Sequence, residues 1–297
     1  MYLHPDEAVL ITGGSGQVGF ELIRQLGNQP QLLAPTRTEL DLSDANAVKA
    51  YLTQNQPDVI FNAAAYTAVD AAESQLADAM ALNAQLPAIL ADYCTQHNAY
   101  LIHYSTDYVY PGTGETPWYE DSPTAPQNQY GQSKLQGDQA VLAKAPKALI
   151  FRTSWVYSAH GHNFMNTILR LAQEKQELRI VADQIGAPTP ASLIAQVSLL
   201  ALERYQQGQP LAGGVYHLAP RGHCSWHDFA KAIVSQAIEA GEQLTLSPDA
   251  IQPIESSEYP TPAKRPLNSR LCVDKLEQAL GICLPEWQEA FYSSNND

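Results

Sequence analysis

A glycine-rich segment between an apolar run and a helical pattern constrains the fold of this chain more than any other feature. The apolar run covers residues 8–12, the glycines follow directly, and helical periodicity spans residues 19–26. The glycine spacing fits both G-x-G-x-x-G and G-x-x-G-x-x-G. Glycine allows a tight turn and a close approach of the backbone to a pyrophosphate at the positive end of a helix. The pattern therefore predicts a strand–turn–helix unit that binds a dinucleotide through Gly13, Gly16 and Gly19.

The first half of the chain continues this alternation of short apolar runs and helical patterns. Further strands are predicted at residues 31–34, 58–64, 100–105 and 148–155. Helices are predicted at residues 45–54, 72–97 and 130–143, the second of them broken or kinked at Pro87. Strands that are apolar on both faces and alternate with helices are typical of a buried parallel sheet. The fold predicted is therefore α/β, with a Rossmann-type doubly wound parallel sheet.

The second half is less regular and predicts a smaller C-terminal substrate lobe. Helical patterns at residues 163–174, 191–204 and 229–240, an apolar run at 214–218 and a proline-rich extended stretch at 247–265 make up this half. Ser225 and Asp228 form a predicted capping box at the start of the last helix. We expect residues 1–157 to form the dinucleotide-binding domain, with residues 187–218 returning to it. Residues 158–186 and 219–297 would form the substrate-binding lobe.

Composition and charge argue against several kinds of partner. A formal charge of −14 disfavours nucleic acid and anionic membranes, and no apolar stretch is long enough to span a bilayer. The acidic first residues lack the apolar core of a signal peptide. The cysteines show no CxxC spacing, which predicts free thiols in a reducing cytoplasm. His223 and His227 flank Cys224, but no further ligand stands nearby, so we predict no metal site there.

The loop after the second predicted strand bears on the choice of cofactor. No acidic residue ends this strand, and Thr36, Arg37 and Thr38 follow it instead. An acid there would bind the ribose hydroxyls of NAD, whereas an arginine accommodates the 2′-phosphate of NADP. We therefore predict NADPH, with NADH as the alternative. Asp41 and Leu42 would place a carboxylate and an apolar contact against the adenine.

Three later residues form a candidate catalytic set. Tyr130 and Lys134 are four residues apart, so on a helix both side chains lie on one face. An ammonium beside a phenol favours the phenolate, so we expect Lys134 to lower the pKa of Tyr130 and make it a proton donor near neutrality. Thr106 ends the fourth predicted strand at the carboxyl edge of the sheet, where ligands bind in such folds. The small residues of segment 62–67 end the third strand at the same edge and would let a cofactor lie close to the backbone.

Together these residues resemble the extended short-chain dehydrogenase/reductase family, in which Ser or Thr, Tyr and Lys form the catalytic set. The resemblance narrows to the dTDP-4-dehydrorhamnose reductase family and extends from about residue 8 to residue 290. The segments that carry it are NAAAYTAVD at 62–70, YSTDYVY at 104–110, RTSWVY at 152–157, DQIGAPT at 183–189 and YPTPAKRP at 259–266.

The resemblance implies a reaction and a set of residue roles. The reaction is the NADPH-dependent reduction of the C4 ketone of dTDP-4-dehydro-6-deoxy-L-mannose to dTDP-L-rhamnose in the cytoplasm. Tyr130 would donate the proton, Lys134 would orient the nicotinamide ribose, and Thr106 would share the carbonyl oxygen. The implied cofactor contacts are Gly16, Gln17 and Val18 at the pyrophosphate, Asp41 and Leu42 at the adenosine, Ala63, Ala64, Ala65, Tyr66 and Thr67 on the nicotinamide side, and Tyr104, Tyr130 and Lys134 at its ribose. The implied substrate contacts are Thr106, Asp107 and Trp155, with Arg265 near the diphosphate.

Two other functions stay open on the sequence alone. A nucleotide-sugar epimerase or dehydratase would share the tyrosine and lysine but would keep a tightly bound NAD. A regulatory subunit resembling that of methionine adenosyltransferase would bind a partner without catalysis, although complete retention of Thr106, Tyr130 and Lys134 weighs against it. We expect a monomer or a homodimer. The abundant acidic residues form no ligand pattern that would decide for or against a divalent ion.

Overall fold

The structure, a computed structural model, describes residues 7–294, and at its centre lies a six-stranded parallel sheet. The strands in chain order are β1 (Val9–Thr12), β2 (Leu32–Leu33), β3 (Val59–Asn62), β4 (Tyr100–Thr106), β5 (Leu149–Thr153), β6 (Val156–Tyr157), β7 (Leu178–Val181), β8 (Ile185–Gly186), β9 (Thr189–Pro190), β10 (Gly214–His217), β11 (Cys224–Ser225) and β12 (Ile251–Ile254). The helices are α1 (Gln17–Leu26), α2 (Ala45–Asn55), α3 (Val69–Ala72), α4 (Leu76–Met80), α5 (Leu86–His97), α6 (Gln129–Lys144), α7 (Phe164–Glu174), α8 (Ala191–Gln206), α9 (Trp226–Glu239), α10 (Asp274–Leu280) and α11 (Trp287–Ser294). Residues 1–6, on which the expectation of no signal peptide rests, lie outside the described range.

The central sheet has the strand order β2-β1-β3-β4-β5-β10, with every neighbouring pair parallel. Successive strands are added on one side of β1 and then, from β3 onward, on the other. Ligands of doubly wound folds bind at this switch point, outside the carboxyl ends of the strands. The predicted α/β fold class is confirmed.

Helices cover both faces of this sheet because alternate strand residues are apolar in both directions. Val9 and Ile11 pack on the side of α1, α8 and α10, whereas Leu10 packs on the side of α2, α5 and α6. The segment from α8 to β10 adds a helix beside α1 and the sixth strand beside β5. The sheet edge that carries the glycine turn is thus held between two buried layers.

The helical pattern predicted at residues 72–97 is interrupted more than once. It contains α3 and α4, then a π-helical segment Ala81–Gln85, and only then α5. Pro87 lies in the first turn of α5. Proline is tolerated there because the first backbone N–H groups of a helix have no partner within it. The helix is therefore not broken at Pro87: the irregularity lies in the π-helical segment, which ends two residues before the proline and continues directly into α5.

The C-terminal lobe has its own apolar core, built largely by α7, α9 and α11. Its strands form two-stranded pairs, of which β7 with β12 is parallel and β8 with β11 antiparallel. The capping box of α9 is confirmed, since the Ser225 side chain accepts from the Asp228 N–H and the Asp228 carboxylate accepts from the Ser225 N–H. Across residues 7–294, no helix combines the length and the apolar character that crossing a bilayer requires.

Candidate active site

The glycine turn after β1 is shaped to bring its backbone close to the end of β3. Gly13 has a φ of 72°, and a Cβ there would lie 2.6 Å from the Ala64 nitrogen. A Cβ at Gly19 would lie 2.3 Å from the Gly13 oxygen, so helix α1 also approaches the turn too closely for a side chain. Gly16 caps α1 without a side-chain hydrogen bond. The first N–H groups of α1 are therefore available to an anion, and the turn fits the pyrophosphate of a dinucleotide.

Gln17 connects this turn to the C-terminal lobe through its side chain. Its Oε1 accepts hydrogen bonds from Asn163 Nδ2 at 2.9 Å and from Ser158 Oγ at 3.2 Å. Val18 packs partly into the core on the α1 side of the sheet. Gln17 and Val18, two of the predicted pyrophosphate contacts, thus contribute their backbone to the turn, while their side chains contact other parts of the protein.

The adenosine side of the predicted site lies in the exposed loop after β2. Arg37 is exposed there, and both Arg37 and Ser43 influence the pKa of Asp41. Hydrogen bonds from the Ser43 hydroxyl and N–H, helped by the charge of Arg37, lower the pKa of Asp41. Leu42 packs against the core beneath. The structure therefore brings an exposed cation, an ionised carboxylate and an apolar residue together at this end.

A buried amide fixes the loop after β3, where Ala63, Ala64, Ala65, Tyr66 and Thr67 were predicted to face the cofactor; Ala64 itself is buried. Asn83 Oδ1 accepts from the Tyr66 N–H at 2.9 Å, and Asn83 Nδ2 donates to the Tyr66 carbonyl oxygen at 3.0 Å. The same nitrogen donates to Ser133 Oγ at 3.0 Å on α6. Asn83 lies in the π-helical segment and joins the nicotinamide-side loop to the catalytic helix. Sequence reasoning missed it, although an isolated polar residue within an apolar helical pattern was visible.

The three predicted catalytic residues meet at the carboxyl edge of the sheet. Thr106 ends β4, while Tyr130 and Lys134 lie one turn apart on α6. The Thr106 hydroxyl donates to Asp107 Oδ1 and accepts from the Tyr108 N–H, and as a hydrogen-bonding neighbour of the Tyr130 phenol it lowers the pKa of that group. Helix α6 can approach this closely because Gly131 has no side chain, and a Cβ there would lie 2.3 Å from the Tyr108 oxygen.

The electrostatics of Tyr130 differ from the sequence expectation. Burial raises the pKa of Tyr130, the hydrogen bond with Thr106 opposes the rise, and the negative charges of Asp107 and Asp138 add to it. The Lys134 ammonium donates to the Tyr104 carbonyl oxygen at 2.6 Å. Burial lowers the pKa of Lys134 to about 8, against the pull of Asp138. The prediction that Lys134 lowers the pKa of the phenol is therefore wrong: burial dominates, and the pKa of Tyr130 is raised.

Asp107 lies directly behind the catalytic oxygens. Only 2% of its surface is exposed. Its carboxylate accepts hydrogen bonds from Thr106 Oγ1 at 3.1 Å and from the Ser269 hydroxyl. Burial raises the pKa of Asp107 to about 6, although these hydrogen bonds act in the opposite direction. Ser269 was not predicted from the sequence, since no local pattern distinguishes it.

Tyr104, predicted at the nicotinamide ribose, reaches the site through its backbone. Its ring packs in the core on the α8 side, and its hydroxyl donates to Ser198 Oγ at 2.8 Å. Its carbonyl oxygen, which accepts from Lys134, is the part that faces the catalytic helix.

A cavity of about 750 Å³ opens beside the catalytic residues. Its apolar wall comes from the C-terminal lobe, and Asp70 and Tyr108 contribute from the other side. Tyr108, which lines the cavity, packs edge-on against the Tyr130 ring with centroids 5.4 Å apart, so one aromatic ring separates the cavity from Tyr130. The apolar wall includes Phe164, Ile168, Leu171, Leu178, Ile180, Val181, Trp226 and Leu267.

Trp155 lies next to this cavity in a strained backbone conformation. Its φ is 49°, a region that large side chains rarely adopt. Its indole stacks on Trp226 with ring centroids 3.6 Å apart. A Cβ at Gly186 would lie 2.7 Å from the Trp155 ring, so this glycine leaves room for the stack. Strain held by surrounding contacts is common at binding sites.

Arg265, the predicted diphosphate contact, lines the cavity and pairs with Asp70 at 2.8 Å. The other oxygen of Asp70 accepts from the Ala263 N–H. The guanidinium is therefore held at the cavity wall by a residue of α3, which follows the nicotinamide-side loop. Within the described range, 7–294, no group of three or more His, Cys, Asp or Glu residues is placed to hold a metal ion.

Comparisons with known proteins agree with this geometry. Residues 7–296 match the model of a family described as the RmlD substrate binding domain. The chain is 44% identical over 284 residues to the dTDP-4-dehydrorhamnose reductase of Shigella flexneri, which covers 94% of each chain. A solved dTDP-4-dehydrorhamnose reductase from Clostridium acetobutylicum superposes with a TM-score of 0.88 at 34% identity, covering 100% of this chain and 99% of that one. One from Bacillus anthracis str. Ames, in complex with NADP, gives 0.86 at 32% identity, with 98% and 99% covered.

Proposed function

The chain belongs to the RmlD substrate binding domain family, and on this premise we propose that it is an NADPH-dependent dTDP-4-dehydrorhamnose reductase. It reduces the C4 ketone of dTDP-4-dehydro-6-deoxy-L-mannose and releases dTDP-L-rhamnose. The observation that carries the proposal is that Thr106, Tyr130 and Lys134 come from β4 and α6 at the carboxyl edge of the sheet, where Tyr108, the ring neighbour of Tyr130, lines the cavity. The names of the relatives and the NADP complex of one of them support it.

The mechanism follows from the position of each polar group. NADPH, when bound, supplies the hydride that C4 receives. The Tyr130 phenol donates its proton to the oxygen that becomes negative at C4. The Thr106 hydroxyl lies beside the same oxygen. Its one hydrogen, which it donates to Asp107 Oδ1, turns toward that oxygen and stabilises the developing charge there. The Lys134 ammonium orients the ribose on the nicotinamide side and adds positive potential near the phenol.

The substrate roles rest on the two faces of the cavity. Trp155 stacks on Trp226, which lines the cavity, so the pair of indoles packs on the side of the sugar, while Asp107 holds Thr106 near the reacting oxygen. Arg265 lies at the wall where a diphosphate would need a cation, since Asp70 holds it there. The sugar therefore lies at the junction of the two lobes, and the nucleotide lies against the C-terminal lobe.

The cofactor and the division of the chain follow the same reasoning. Arg37 is exposed in the loop after β2, where a 2′-phosphate would lie, and favours NADPH over NADH. Residues 1–157 with 187–218 form the dinucleotide-binding domain, and residues 158–186 and 219–297 the substrate-binding lobe. This division is supported by the packing of α8 on α1 and of β10 on β5. Four free cysteines and dependence on NADPH support a cytoplasmic location.

The test replaces one phenol. In Tyr130→Phe we expect kcat to fall about 10²- to 10⁴-fold, the usual contribution of a positioned proton donor, while NADPH affinity changes little. The assay follows NADPH oxidation with a ketosugar nucleotide made enzymatically from dTDP-glucose. Tyr119→Phe is the matched control, since Tyr119 is 55% exposed and outside the site. Near-wild-type turnover of Tyr130→Phe would refute the assignment.

The same preparation separates the alternatives. Purified protein that carries tightly bound NAD and needs no added reductant would indicate an epimerase or dehydratase. Stable co-purification with a partner, without NADPH oxidation, would indicate a regulatory subunit.

A further inference from the structure

A buried cluster of charges lies behind the catalytic helix and takes no direct part in the mechanism described above. Asp138 follows Lys134 by one helical turn on α6 and is fully buried. Its Oδ2 accepts from Arg152 Nε on β5 at 2.9 Å. Its Oδ1 forms no hydrogen bond with any described residue and lies 3.9 Å from His103 Nε2 on β4. No ion pair or hydrogen bond joins Asp138 to Lys134; both side chains are buried one turn apart on α6, and the charge of the carboxylate acts across that distance to raise the pKa of Lys134.

Lys134 is surrounded by few groups that can balance its charge. The Tyr104 oxygen on β4 is a neutral acceptor. Burial and the Lys134 charge keep the pKa of His103, also on β4, well below its usual value, so that ring is neutral. Asp107 lies in the turn after β4, and its carboxylate already accepts hydrogen bonds from two hydroxyl groups. Asp138 therefore supplies the negative charge that reaches Lys134 along α6.

Arg152 competes with Lys134 for the charge of Asp138. Its Nε takes one carboxylate oxygen, and its NH1 donates to the Tyr110 hydroxyl at 2.8 Å. The guanidinium is thus held on both sides and is almost entirely buried. Because a buried lysine without a nearby anion tends to lose its proton, the sharing of Asp138 between Arg152 and Lys134 decides the charge of Lys134.

We propose that Asp138 is a positioning residue that keeps the Lys134 ammonium charged within the protein, and that Arg152 sets how much of this negative charge Lys134 receives. The consequence for catalysis rests on the proposed reductase function, in which Lys134 acts as a cation. The effect on Lys134 itself is a property of the free protein and can be measured without any reaction.

Two variants that break the same ion pair give opposite predictions. Asp138→Asn leaves Lys134 beside Arg152 without the carboxylate, so the pKa of Lys134 should fall by about 1 to 3 units. Arg152→Gln leaves the carboxylate to Lys134 alone, so the pKa of Lys134 should rise. A merely structural role of the pair would destabilise both variants without moving this pKa in opposite directions. Asp138→Glu, which restores the charge, should bring the value back toward that of the wild type.

The direct measurement is a pH titration of the lysine side-chain nitrogens by ¹⁵N NMR, with the Lys134 signal assigned by its absence in Lys134→Arg. Tyr110→Phe is the matched control, because it removes a partner of Arg152 on the side away from Asp138. The second measurement is the pH profile of kcat/KM for the ketosugar nucleotide at saturating NADPH. In Asp138→Asn, the loss of activity at high pH should begin at a lower pH than in the wild type. At a pH above both transitions, kcat/KM should be about 10- to 1,000-fold lower than in the wild type, and at a pH below both it should change little.

Each outcome supports or overturns the proposal. An unchanged pKa of Lys134 in Asp138→Asn, or a shift of the same sign in both variants, would overturn it. If Asp138→Asn does not fold, an upward shift in Arg152→Gln still supports the proposal, and the absence of that shift overturns it. Opposite shifts in a wild-type protein that does not oxidise NADPH would support the role of Asp138 and refute the reductase function instead.

Discussion

Asp107→Asn should make the protein more stable at high pH, although it removes a residue of the active site. Asp107 is 2% exposed, and burial raises its pKa from 3.8 to about 6. A carboxyl group whose pKa is higher in the folded state contributes stability below its unfolded pKa. That contribution is lost as the pH rises through the folded pKa. The wild-type protein therefore carries a destabilising charge above about pH 6, and asparagine removes it.

The size of the effect follows from the difference between the two pKa values. A rise from 3.8 to about 6 corresponds to about 3 kcal/mol of unfolding free energy at a pH well above 6, at 1.36 kcal/mol per unit. Asparagine accepts from Thr106 or from Ser269 but replaces one carboxylate oxygen by a donor, which costs about 1 kcal/mol. The net gain at about pH 8 is therefore about 2 kcal/mol, and at about pH 4 the variant is equal to the wild type or slightly less stable.

Urea unfolding at about pH 4, 6 and 8 measures this difference directly. Asp121→Asn is the control, since it removes an exposed carboxylate and should leave the difference near zero at each pH. A stability difference for Asp107→Asn that does not change with pH, or a loss of stability at about pH 8, would refute the reasoning.

Three further substitutions test the cofactor and substrate sites. Gly19→Ala places a Cβ 2.3 Å from the Gly13 oxygen, so it should displace the turn and weaken NADPH binding at least about tenfold by calorimetry. Arg37→Ser should lower NADPH affinity about 10- to 100-fold and leave NADH affinity unchanged, since it removes a charge-assisted contact of about 1.5 to 3 kcal/mol; equal losses for both cofactors would contradict this. Gly186→Ala would meet the Trp155 ring at 2.7 Å, and the stacked indole cannot easily yield. KM for the sugar nucleotide should therefore rise, while the dissociation constant for NADPH stays unchanged.

The sequence predicted the parts of the fold whose signals are local. The strands on either side of the switch point are apolar on both faces, and Gly13 and Gly19 occupy positions where a Cβ would collide with backbone. Such constraints are visible in a single sequence because the residue type itself records them. Pro87 likewise marked the start of a helix.

The C-terminal lobe was less predictable because its elements depend on distant partners. β7 and β12 are four-residue strands separated by most of the lobe, and each becomes a strand by pairing with the other. The stretch at 247–265, expected to be extended, contains β12 between two short 3₁₀ turns. Helices α10 and α11 were not predicted. Their apolar residues pack on two different cores, and a short amphipathic pattern does not show which core it will meet.

The residues that support the site were mostly missed, and for a common reason. Asn83, Arg152 and Ser269 act through contacts between segments far apart in the chain. Asp138 was visible as a carboxylate four residues after Lys134. Helical spacing, however, gives an exposed ion pair and a buried one the same pattern. Only the packing of α6 against β4 and β5 shows that this carboxylate is buried.

The same limit explains the wrong expectation for Tyr130 and changes the picture of the reaction. Spacing identified Lys134 as the neighbour of the phenol but not the cost of burying either group, and that cost dominates both pKa shifts. Because burial raises the pKa of Tyr130, the phenol holds its proton throughout the neutral range, as a proton donor must at the start of a reduction. Because burial lowers the pKa of Lys134 to about 8, the lysine loses its charge before the tyrosine ionises. In the proposed mechanism, the alkaline limit of activity is therefore set by Lys134 and by the buried carboxylate of Asp138 that opposes its deprotonation.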